Sequence, residues 1–327
     1  MNTGIYAVLT ASANTGIYAV LAAFLLTAFF CRLLIPSLIK FKFGQQVRED
    51  GPKHHISKTG TPTMGGISFI IGFILAGLFF GSQNPEAVAI VVVTFFFGLI
   101  GFFDDFIKIR KKRSLGLRAY QKILCQLLVS VGFLLYWRTL DGFTSEVLIP
   151  FGSSFDLRAF FPVLVCLVFI SSANGANLTD GLDGLASGVT VIIALFFMAA
   201  AIMFDSGITP AIGAMVGGLL GFLLFNSHPA KVYMGDTGSL ALGGFVAAVS
   251  LVLGMPIFLL IVAIIYVIES LSVLIQVAYF KMTGGKRFFK MAPIHHSFEL
   301  SGWKETKIVA LFMIVTSIAV FAGFLAI

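Results

Sequence analysis

The run SSANGANLTDGLDG at residues 171–184 is polar and rich in glycine, and it separates two long apolar segments, residues 159–175 and 185–204. A bilayer-spanning helix needs about 20 mostly apolar residues. The two segments therefore predict membrane helices, and the run predicts a loop at the membrane surface. Asp180 and Asp183 lie three positions apart in it, so a helical turn would place both carboxylates on one side, where they could hold a cation.

Two amide side chains of this loop, Asn174 and Asn177, have the same spacing as the two aspartates. They add oxygen ligands of the kind that a hard ion such as Mg²⁺ prefers. The same residues also suit a capped helix start, in which Asn, Thr and Asp accept backbone hydrogen bonds and glycine forms the turn. Capping accounts for one or two of the four side chains, whereas a ligand-binding loop accounts for all of them.

The whole chain has the composition of a polytopic membrane protein. Hydrophobic residues make up 58% of its 327 residues and charged residues only 11%, which excludes an ordinary soluble domain. Ten apolar segments could form membrane helices; they cover approximately residues 17–39, 64–81, 87–107, 119–137, 159–175, 185–204, 208–226, 238–254, 256–280 and 307–327. The sequence thus predicts an all-α polytopic membrane protein with about ten transmembrane helices, and EVLIPFGSSFDL at 146–157 predicts a short β-hairpin.

The first thirteen residues stand apart from this pattern. NTGIYAVL occurs at residues 2–9 and again at residues 14–21, and such a repeat beside a starting Met is typical of an expression scar or an extended start. We therefore assign residues 1–13 to such a segment. Residues 14–327 are predicted to form a single integral membrane domain, because no polar stretch is long enough for a separate soluble domain.

Basic residues are concentrated in alternate loops. Nineteen of the 22 Lys and Arg lie at residues 40–62, 108–122, 231 and 281–307, which share one side of the membrane if the ten helices alternate. The positive-inside rule places that side in the cytoplasm and both termini outside. The net charge of +7 then belongs to one cytoplasmic face, suited to anionic lipid headgroups or phosphorylated substrates, and it does not indicate nucleic-acid binding.

The first two basic loops carry candidate site residues. GPKHHISKTGTPTMGG contains Lys58, which could contact a nucleotide or phosphate or simply mark the cytoplasmic border. FFDDFIKIRKKRS places Asp104 and Asp105 side by side at the end of a very apolar helix, with Lys108 one turn later. Adjacent carboxylates repel one another and lose solvation there, which predicts a cation, a shared proton or a phosphate beside them. A surface pair of Asp104 with Lys108 is the simpler alternative.

Two later loops on the same side add further candidates. In NSHPAKVYMGDTGSLALGG, Asp236 begins the eighth span, either as a ligand to a metal that accompanies a phosphate or as a helix cap. In KMTGGKRFFKMAPIHHSFELSGWKE, His295 and His296 suit phosphate contact or proton handling. Glu269 lies inside the ninth span, where it is either a polar contact between helices or the mark of a break.

All loops with acid, amide or histidine clusters fall on one side of the predicted topology. Together they supply carboxylates for Mg²⁺, cations for phosphate charge and candidate bases, which is the set that phosphoryl transfer needs. A secondary transporter is the alternative from another class, because intramembrane acids often mark ion pathways. Clustering of the acids at one membrane face argues against a transporter.

Five motifs in this order resemble the phospho-N-acetylmuramoyl-pentapeptide transferase family from about residue 17 to the end: GTPTMGG, FFDD, NLTDGLDGLASG, PAKVYMGDTGSLALG and APIHHSFELSGWKE. The resemblance implies a bacterial inner-membrane enzyme that uses Mg²⁺. It would transfer phospho-N-acetylmuramoyl-pentapeptide from UDP-N-acetylmuramoyl-pentapeptide to undecaprenyl phosphate and release UMP. Relatives that use UDP-N-acetylglucosamine share the Asp-rich loops, but the histidine-bearing loop is similar to the muramoyl branch. A homodimer within membrane lipid is left open.

The resemblance also implies roles for individual residues. Asp236 and Asn177 would contact Mg²⁺ and the pyrophosphate, Asp104 or Asp105 would deprotonate or position the lipid phosphate, and His295 would meet the phosphates or sugar. The family commonly has a third histidine where this chain has Ser297, which places more weight on His295. The implied substrate-binding residues are Lys58, Asn174, Asp180, Asp183, Asn226, Tyr233, Gln276 and His296, with Tyr233 stacking on uracil. Direct attack by the lipid phosphate is the predicted route, and a covalent intermediate on Asp105 or Asp104 is the alternative.

Overall fold

The structure is a computed structural model that describes residues 2–40, 60–111, 113 and 115–327. Its elements are helices α1 Asn2–Lys40, α2 Gly66–Gly81, α3 Pro85–Lys111, α4 Ala119–Trp137, α5 Phe161–Thr179, α6 Leu185–Met203, α7 Thr209–Asn226, α8 Gly235–Val252, α9 Leu259–Val262, α10 Ile264–Met282, α11 Ile294–Glu299 and α12 Glu305–Leu325, and strands β1 Glu146–Leu148 and β2 Ser154–Asp156. Helices dominate because lipid offers no partner for backbone N–H and C=O groups, which must bond within the chain.

The predicted fold class is confirmed. Within the described part of the chain, nine helices are long and apolar enough to cross a membrane, and α2 is a shorter apolar helix of 16 residues. At 1.5 Å per residue, α2 measures about 24 Å, somewhat less than a typical hydrocarbon core. The predicted hairpin is also confirmed, since β1 pairs antiparallel with β2 and Val147 lies opposite Phe155.

The ninth predicted span, residues 256–280, is not one helix. A 3₁₀ turn at Pro256–Phe258 leads into the four-residue helix α9, and Ala263, with φ −101° and ψ 32°, separates α9 from α10. Glu269 therefore lies in the body of α10, beyond the break. The sequence left a break in this span open, and the structure places it at Ala263 rather than at Glu269. Hydropathy alone does not locate such a break, because a proline at the helix start and a local backbone turn are both compatible with a uniformly apolar run.

Helix α1 extends through the segment that the sequence pattern set apart from the fold. The backbone is helical from Asn2, and the Ser12 hydroxyl lies 3.1 Å from the Thr209 hydroxyl of α7. The division into an N-terminal segment and one membrane domain stays a prediction.

Helices α6, α7 and α8 are mostly buried and form the centre of the bundle, whereas α1, α4, α10 and α12 expose many large apolar side chains. Those exposed faces suit contact with lipid. The hairpin closes one end of the bundle, where the Phe151 amide donates to Ala326 and the Leu148 amide donates to Gly254. The opposite end gathers the C-terminal ends of α3, α5 and α7 and the N-terminal ends of α4, α6, α8 and α12, and it carries the site.

Candidate active site

Three carboxylates and two ammonium groups form one cluster, the acid–lysine centre: Asp104, Asp105 and Lys108 on α3, Lys122 on α4, and Asp236 on α8. The Lys108 Nζ atom lies 2.6 Å from Asp104 Oδ2, 3.1 Å from Asp236 Oδ1 and 3.6 Å from Asp105 Oδ1. The Lys122 Nζ atom pairs with Asp236 Oδ2 and lies 3.4 Å from Asp104 Oδ1. The cluster has one excess negative formal charge. Asp104 and Lys108 therefore belong to a larger, partly buried cluster and do not form the isolated surface pair that was the simpler alternative.

Asp105 fixes the start of α8. Its Oδ2 atom accepts hydrogen bonds from the Thr237 amide at 2.9 Å and the Thr237 hydroxyl at 2.8 Å, and its Oδ1 atom accepts from the Asp236 amide at 3.2 Å. These amides belong to the first turn of a helix, where free N–H donors and the helix dipole favour a carboxylate. Asp105 thereby holds Asp236 in place from a neighbouring helix.

Two glycines permit this approach. Gly235 has φ +70°, which favours glycine, and a methyl group there would meet Asp105 Oδ2 at 2.5 Å. A methyl group on Gly101 of α3 would overlap the backbone carbonyl of Asp236. The close contact of α3 with α8 therefore depends on small residues, as in many membrane helix pairs.

Asp104 has a different environment from its neighbour. It is fully buried, and its Oδ1 atom accepts a hydrogen bond from the Leu117 amide at 2.8 Å. Its Oδ2 atom has only the ion pair with Lys108 among the residues described. Asp104 thus keeps more acceptor capacity than Asp105.

The two asparagines of α5 take different positions. The Asn177 Nδ2 atom donates to Asp236 Oδ1 at 3.1 Å and to the Ser239 hydroxyl at 2.8 Å, which places this side chain in the acid–lysine centre. Asn174 lies one turn earlier, and its Nδ2 atom donates to Gln126 Oε1 at 3.1 Å and to the Ile170 carbonyl at 2.8 Å. Asn174 is therefore bonded to the interior of the bundle.

The centre fits a hard divalent cation. One carboxylate oxygen from each of Asp104, Asp105 and Asp236 lies within 4.8 Å of the others, and Asn177 adds an amide beside them. Oxygen-only donor sets with several carboxylates suit Mg²⁺ rather than softer metals. Asp236 has the most exposed carboxylate of the three, at 15%, so it is the most accessible ligand.

Asp180 and Asp183 follow α5 but do not act as a pair. Burial, together with the negative charges of Asp236, Asp105 and Asp183, raises the pKa of Asp180 well above its usual range. The repulsion from Asp236 and Asp105 indicates that Asp180 lies near the acid–lysine centre.

Asp183 instead belongs to a second group, the loop latch, formed with His228, Ala230 and Glu305. Its Oδ2 atom accepts a hydrogen bond from the Ala230 amide and contacts His228 Nδ1, both at 3.0 Å. The Asp183 amide donates to Glu305 Oε1 at 2.6 Å. The latch joins the loop after α5, the loop after α7 and the start of α12.

Asn226 and Tyr233 are linked through their loop. Asn226 is buried; its Nδ2 atom donates to the Val232 carbonyl at 3.0 Å and its Oδ1 atom lies 3.1 Å from the Ser187 hydroxyl. Tyr233 is half-buried, and its amide donates to the Pro62 carbonyl at 2.9 Å. Asn226 therefore supports the loop that presents Tyr233.

The remaining predicted residues lie on or near the segment between α10 and α12. Gln276 Oε1 accepts hydrogen bonds from the Phe288 and Phe289 amides at 3.2 and 2.8 Å, which fastens this segment to α10. His296 Nδ1 lies 2.7 Å from Glu299 Oε2. Lys58 lies outside the described residues.

His295 is buried on α11, where its Nδ1 atom lies 3.0 Å from Glu269 Oε1. Sequence reasoning left Glu269 without a role and counted Lys122 only as a basic loop residue. A signal existed for Lys122, since it is a single cation one turn inside an otherwise apolar span. The partner of Glu269 had no local signal, because His295 is far along the chain.

Comparisons with known proteins agree with these motifs. The family model described as glycosyl transferase family 4 matches residues 87–254, which include the acid–lysine centre. A phospho-N-acetylmuramoyl-pentapeptide-transferase of Acetivibrio thermocellus is 51% identical, covering 90% of each chain. Proteins of the same name from Caldanaerobacter subterraneus and Clostridioides difficile are 49% and 47% identical, covering 90% and 93% of this chain and 92% and 95% of theirs. The chain therefore belongs to the phospho-N-acetylmuramoyl-pentapeptide-transferases of glycosyl transferase family 4.

Proposed function

We propose that this protein transfers phospho-N-acetylmuramoyl-pentapeptide from UDP-N-acetylmuramoyl-pentapeptide to undecaprenyl phosphate, releasing UMP and forming the first lipid-linked peptidoglycan precursor. The observation that carries the proposal is the acid–lysine centre at the polar end of a membrane bundle. A cluster of three carboxylates and two ammonium groups suits a reaction between phosphates. The names of the relatives indicate that the transferred group is phospho-N-acetylmuramoyl-pentapeptide. The membrane helices are suited to binding a lipid acceptor.

In the proposed reaction, an oxygen of the lipid phosphate forms a bond to the phosphorus that carries the sugar. The bond from that phosphorus to the UMP oxygen breaks, and UMP leaves with the electron pair. Lys108 and Lys122 neutralise phosphate charge on opposite sides of Asp236. When bound, Mg²⁺ would be held by Asp236 and Asn177 and would stabilise negative charge on the leaving phosphate.

Direct attack is favoured over a covalent intermediate on Asp105, and an intermediate on Asp104 is the alternative that rapid quenching separates. As a nucleophile, Asp105 would lose hydrogen bonds from the first turn of α8, which fix Asp236. Among the described residues, one oxygen of Asp104 is engaged only by Lys108, so Asp104 is proposed to position or deprotonate the lipid phosphate. Asp105 is proposed to hold Asp236.

The remaining residues are proposed to form the substrate pocket. Asp180 and Tyr233 line the nucleoside side, with the Tyr233 ring stacking on uracil, and His295 meets a phosphate or sugar oxygen. Residues that shape or extend this pocket are Lys58, Asn174, Asp183, Asn226, Gln276 and His296. We place this pocket on the cytoplasmic face of the bacterial inner membrane, with both termini on the outer side. The proposal is compatible with a monomer or a homodimer.

A reconstitution assay tests the proposed function. Purified protein in detergent should release UMP from UDP-N-acetylmuramoyl-pentapeptide only when undecaprenyl phosphate and Mg²⁺ are both present. Release from UDP-N-acetylglucosamine in its place would assign the chain a different substrate. Detergent maintains no ion gradient, so UMP release under these conditions would exclude a pure transporter. Failure to release UMP would contradict a transferase. A phosphoprotein trapped by rapid quenching, with the lipid phosphate omitted, would contradict direct attack.

A further inference from the structure

Glu269 is a fully buried carboxylate in the body of α10. Such a group is costly inside a membrane protein unless it is paired or hydrogen-bonded. Both of its oxygens face the start of α11: Oε2 accepts a hydrogen bond from the Ile294 amide at 2.9 Å, and Oε1 lies 3.0 Å from His295 Nδ1. One carboxylate thus fixes both the backbone and the ring at the beginning of α11.

The carboxylate determines which ring nitrogen of His295 is available. A carboxylate offers only acceptors, so the His295 Nδ1–H group donates to Glu269 Oε1. The other nitrogen, Nε2, is then directed away from α10. A carboxylate or carbonyl behind a histidine selects the tautomer and the ring orientation in this way in many enzyme sites.

The Nε2 atom of His295 has no hydrogen-bond partner among the described residues, although His295 is only 1% exposed. An unpaired buried polar atom is uncommon in folded proteins and points to an absent ligand group. The atom lies against Gly181, where a methyl group would overlap the ring. Gly181 directly follows Asp180, whose pKa is raised by burial and by the negative charges of Asp236 and Asp105. The unpaired nitrogen therefore lies against the loop that carries Asp180.

We propose that Glu269 is a positioning residue for the transfer reaction, which holds the His295 ring so that Nε2 faces a phosphate or sugar oxygen of the sugar nucleotide. The role extends the proposed function. A purely structural role for Glu269, through the Ile294 amide alone, is the alternative that the experiments must separate.

The first experiment does not depend on turnover. In protein labelled with ¹⁵N-histidine, NMR should show the His295 proton on Nδ1, and addition of the UDP-sugar should shift the Nε2 resonance. With five histidines in the chain, His295→Gln identifies the signal by its loss. A neutral ring that is protonated on Nε2 and bare on Nδ1 would overturn the proposal. An Nε2 resonance unmoved by saturating sugar nucleotide would also overturn it.

The second experiment is a double-mutant cycle in the UMP-release assay. Glu269→Gln should lower kcat/KM by about 10–100-fold, the usual range for loss of a group that orients a histidine. In the His295→Gln background the same change should have almost no further effect, because the two residues act as a unit. Equal losses in both backgrounds would show a structural role and overturn the proposal.

Tyr266→Phe provides the matched control. Tyr266 lies one turn before Glu269 on α10, is equally buried, and bonds to the Thr190 hydroxyl at 2.5 Å. The substitution removes only the Tyr266 hydroxyl, so α10 loses a buried polar contact that does not involve His295. We expect kcat/KM to change less than threefold. A loss as large as that of Glu269→Gln would show that any buried contact of α10 suffices and would overturn the proposal. Failure of wild-type UMP release, with the NMR result intact, would instead reject the proposed function alone.

Discussion

The acid–lysine centre and the loop latch are both groups of three potential metal ligands at the same end of the bundle, yet their charges are balanced differently. In each group, ligand atoms from three side chains lie within 4.8 Å of one another. The acid–lysine centre balances its carboxylates with two lysines. The latch balances Asp183 and Glu305 with backbone amides and His228.

This difference indicates different functions. Ammonium groups on flexible stems can exchange a carboxylate partner for a phosphate, so the acid–lysine centre can accept a charged ligand without losing its own balance. Backbone amides cannot move away from a carboxylate without moving the loop that carries them. The latch is therefore suited to fix three loops, and the centre is suited to bind and react.

The largest effect is expected for Asp236→Asn. The variant keeps the shape of the side chain and removes the excess negative charge of the acid–lysine centre, so folding should be preserved. UMP release should fall by about 10³-fold, as when a main electrostatic contact of a transition state is lost. Binding of Mn²⁺ as a substitute ion, followed by electron paramagnetic resonance, should weaken in parallel. Unchanged turnover at saturating Mg²⁺ would remove Asp236 from the metal site.

A smaller effect is expected for Lys122→Met. Loss of this ammonium group should lower kcat/KM by about 10²-fold, because one source of phosphate neutralisation disappears. It also leaves Asp104 and Asp236 with more mutual repulsion, so Mg²⁺ should raise the melting temperature of the variant more than that of the wild type. Lys122→Arg, which keeps the charge, is the control and should lose less activity. Equal losses for both variants would show that Lys122 acts through shape rather than charge.

The smallest effect on turnover is expected for Asp183→Asn in the loop latch. Weakening its bonds to the Ala230 amide and to His228 should lower the free energy of unfolding by about 1–3 kcal/mol, the cost of leaving a buried group unsatisfied. Thermal melting in detergent measures this loss, and UMP release should fall only several-fold. A higher KM for the UDP substrate with unchanged melting would instead show the direct nucleoside contact predicted from the sequence.

Asp156→Asn is the matched control for that variant. Asp156 lies on the exposed hairpin at the opposite end of the bundle, where hydrogen bonds from the Ser145 hydroxyl and the Arg158 amide lower its pKa. Neither melting nor UMP release should change measurably. A loss of turnover would show that the two ends of the bundle are coupled.

Most of the fold was predictable because a lipid environment reduces the choice of structure to helices whose lengths match the membrane. Apolar runs separated by charged loops therefore located the spans. The break at Ala263 was not predictable, since the residues around it are as apolar as those in continuous helices. The residue types of the site were also recognisable, because carboxylates and histidines are costly at a membrane border unless they serve a purpose.

The partners of those residues were not predictable from their spacing. Asp104 and Asp105 are adjacent, yet Asp104 has the closer ion pair with Lys108, and Asp105 accepts hydrogen bonds from the first turn of α8. Asn174 and Asn177 are one turn apart on the same helix, yet only Asn177 reaches Asp236. Glu269 gained its proposed role from a ring that belongs to another element. In each case the deciding distance lies between helices.

The sequence by itself determined the membrane class, the approximate spans and the chemical character of the loops at one face. These properties follow from hydropathy and charge, which each segment carries regardless of its neighbours. Only the tertiary structure decided which carboxylates share a lysine, which one caps a helix and which one orients a histidine. Hydrogen bonds and ion pairs act over about 3–4 Å, and such distances between helices are set by side-chain packing along the whole bundle.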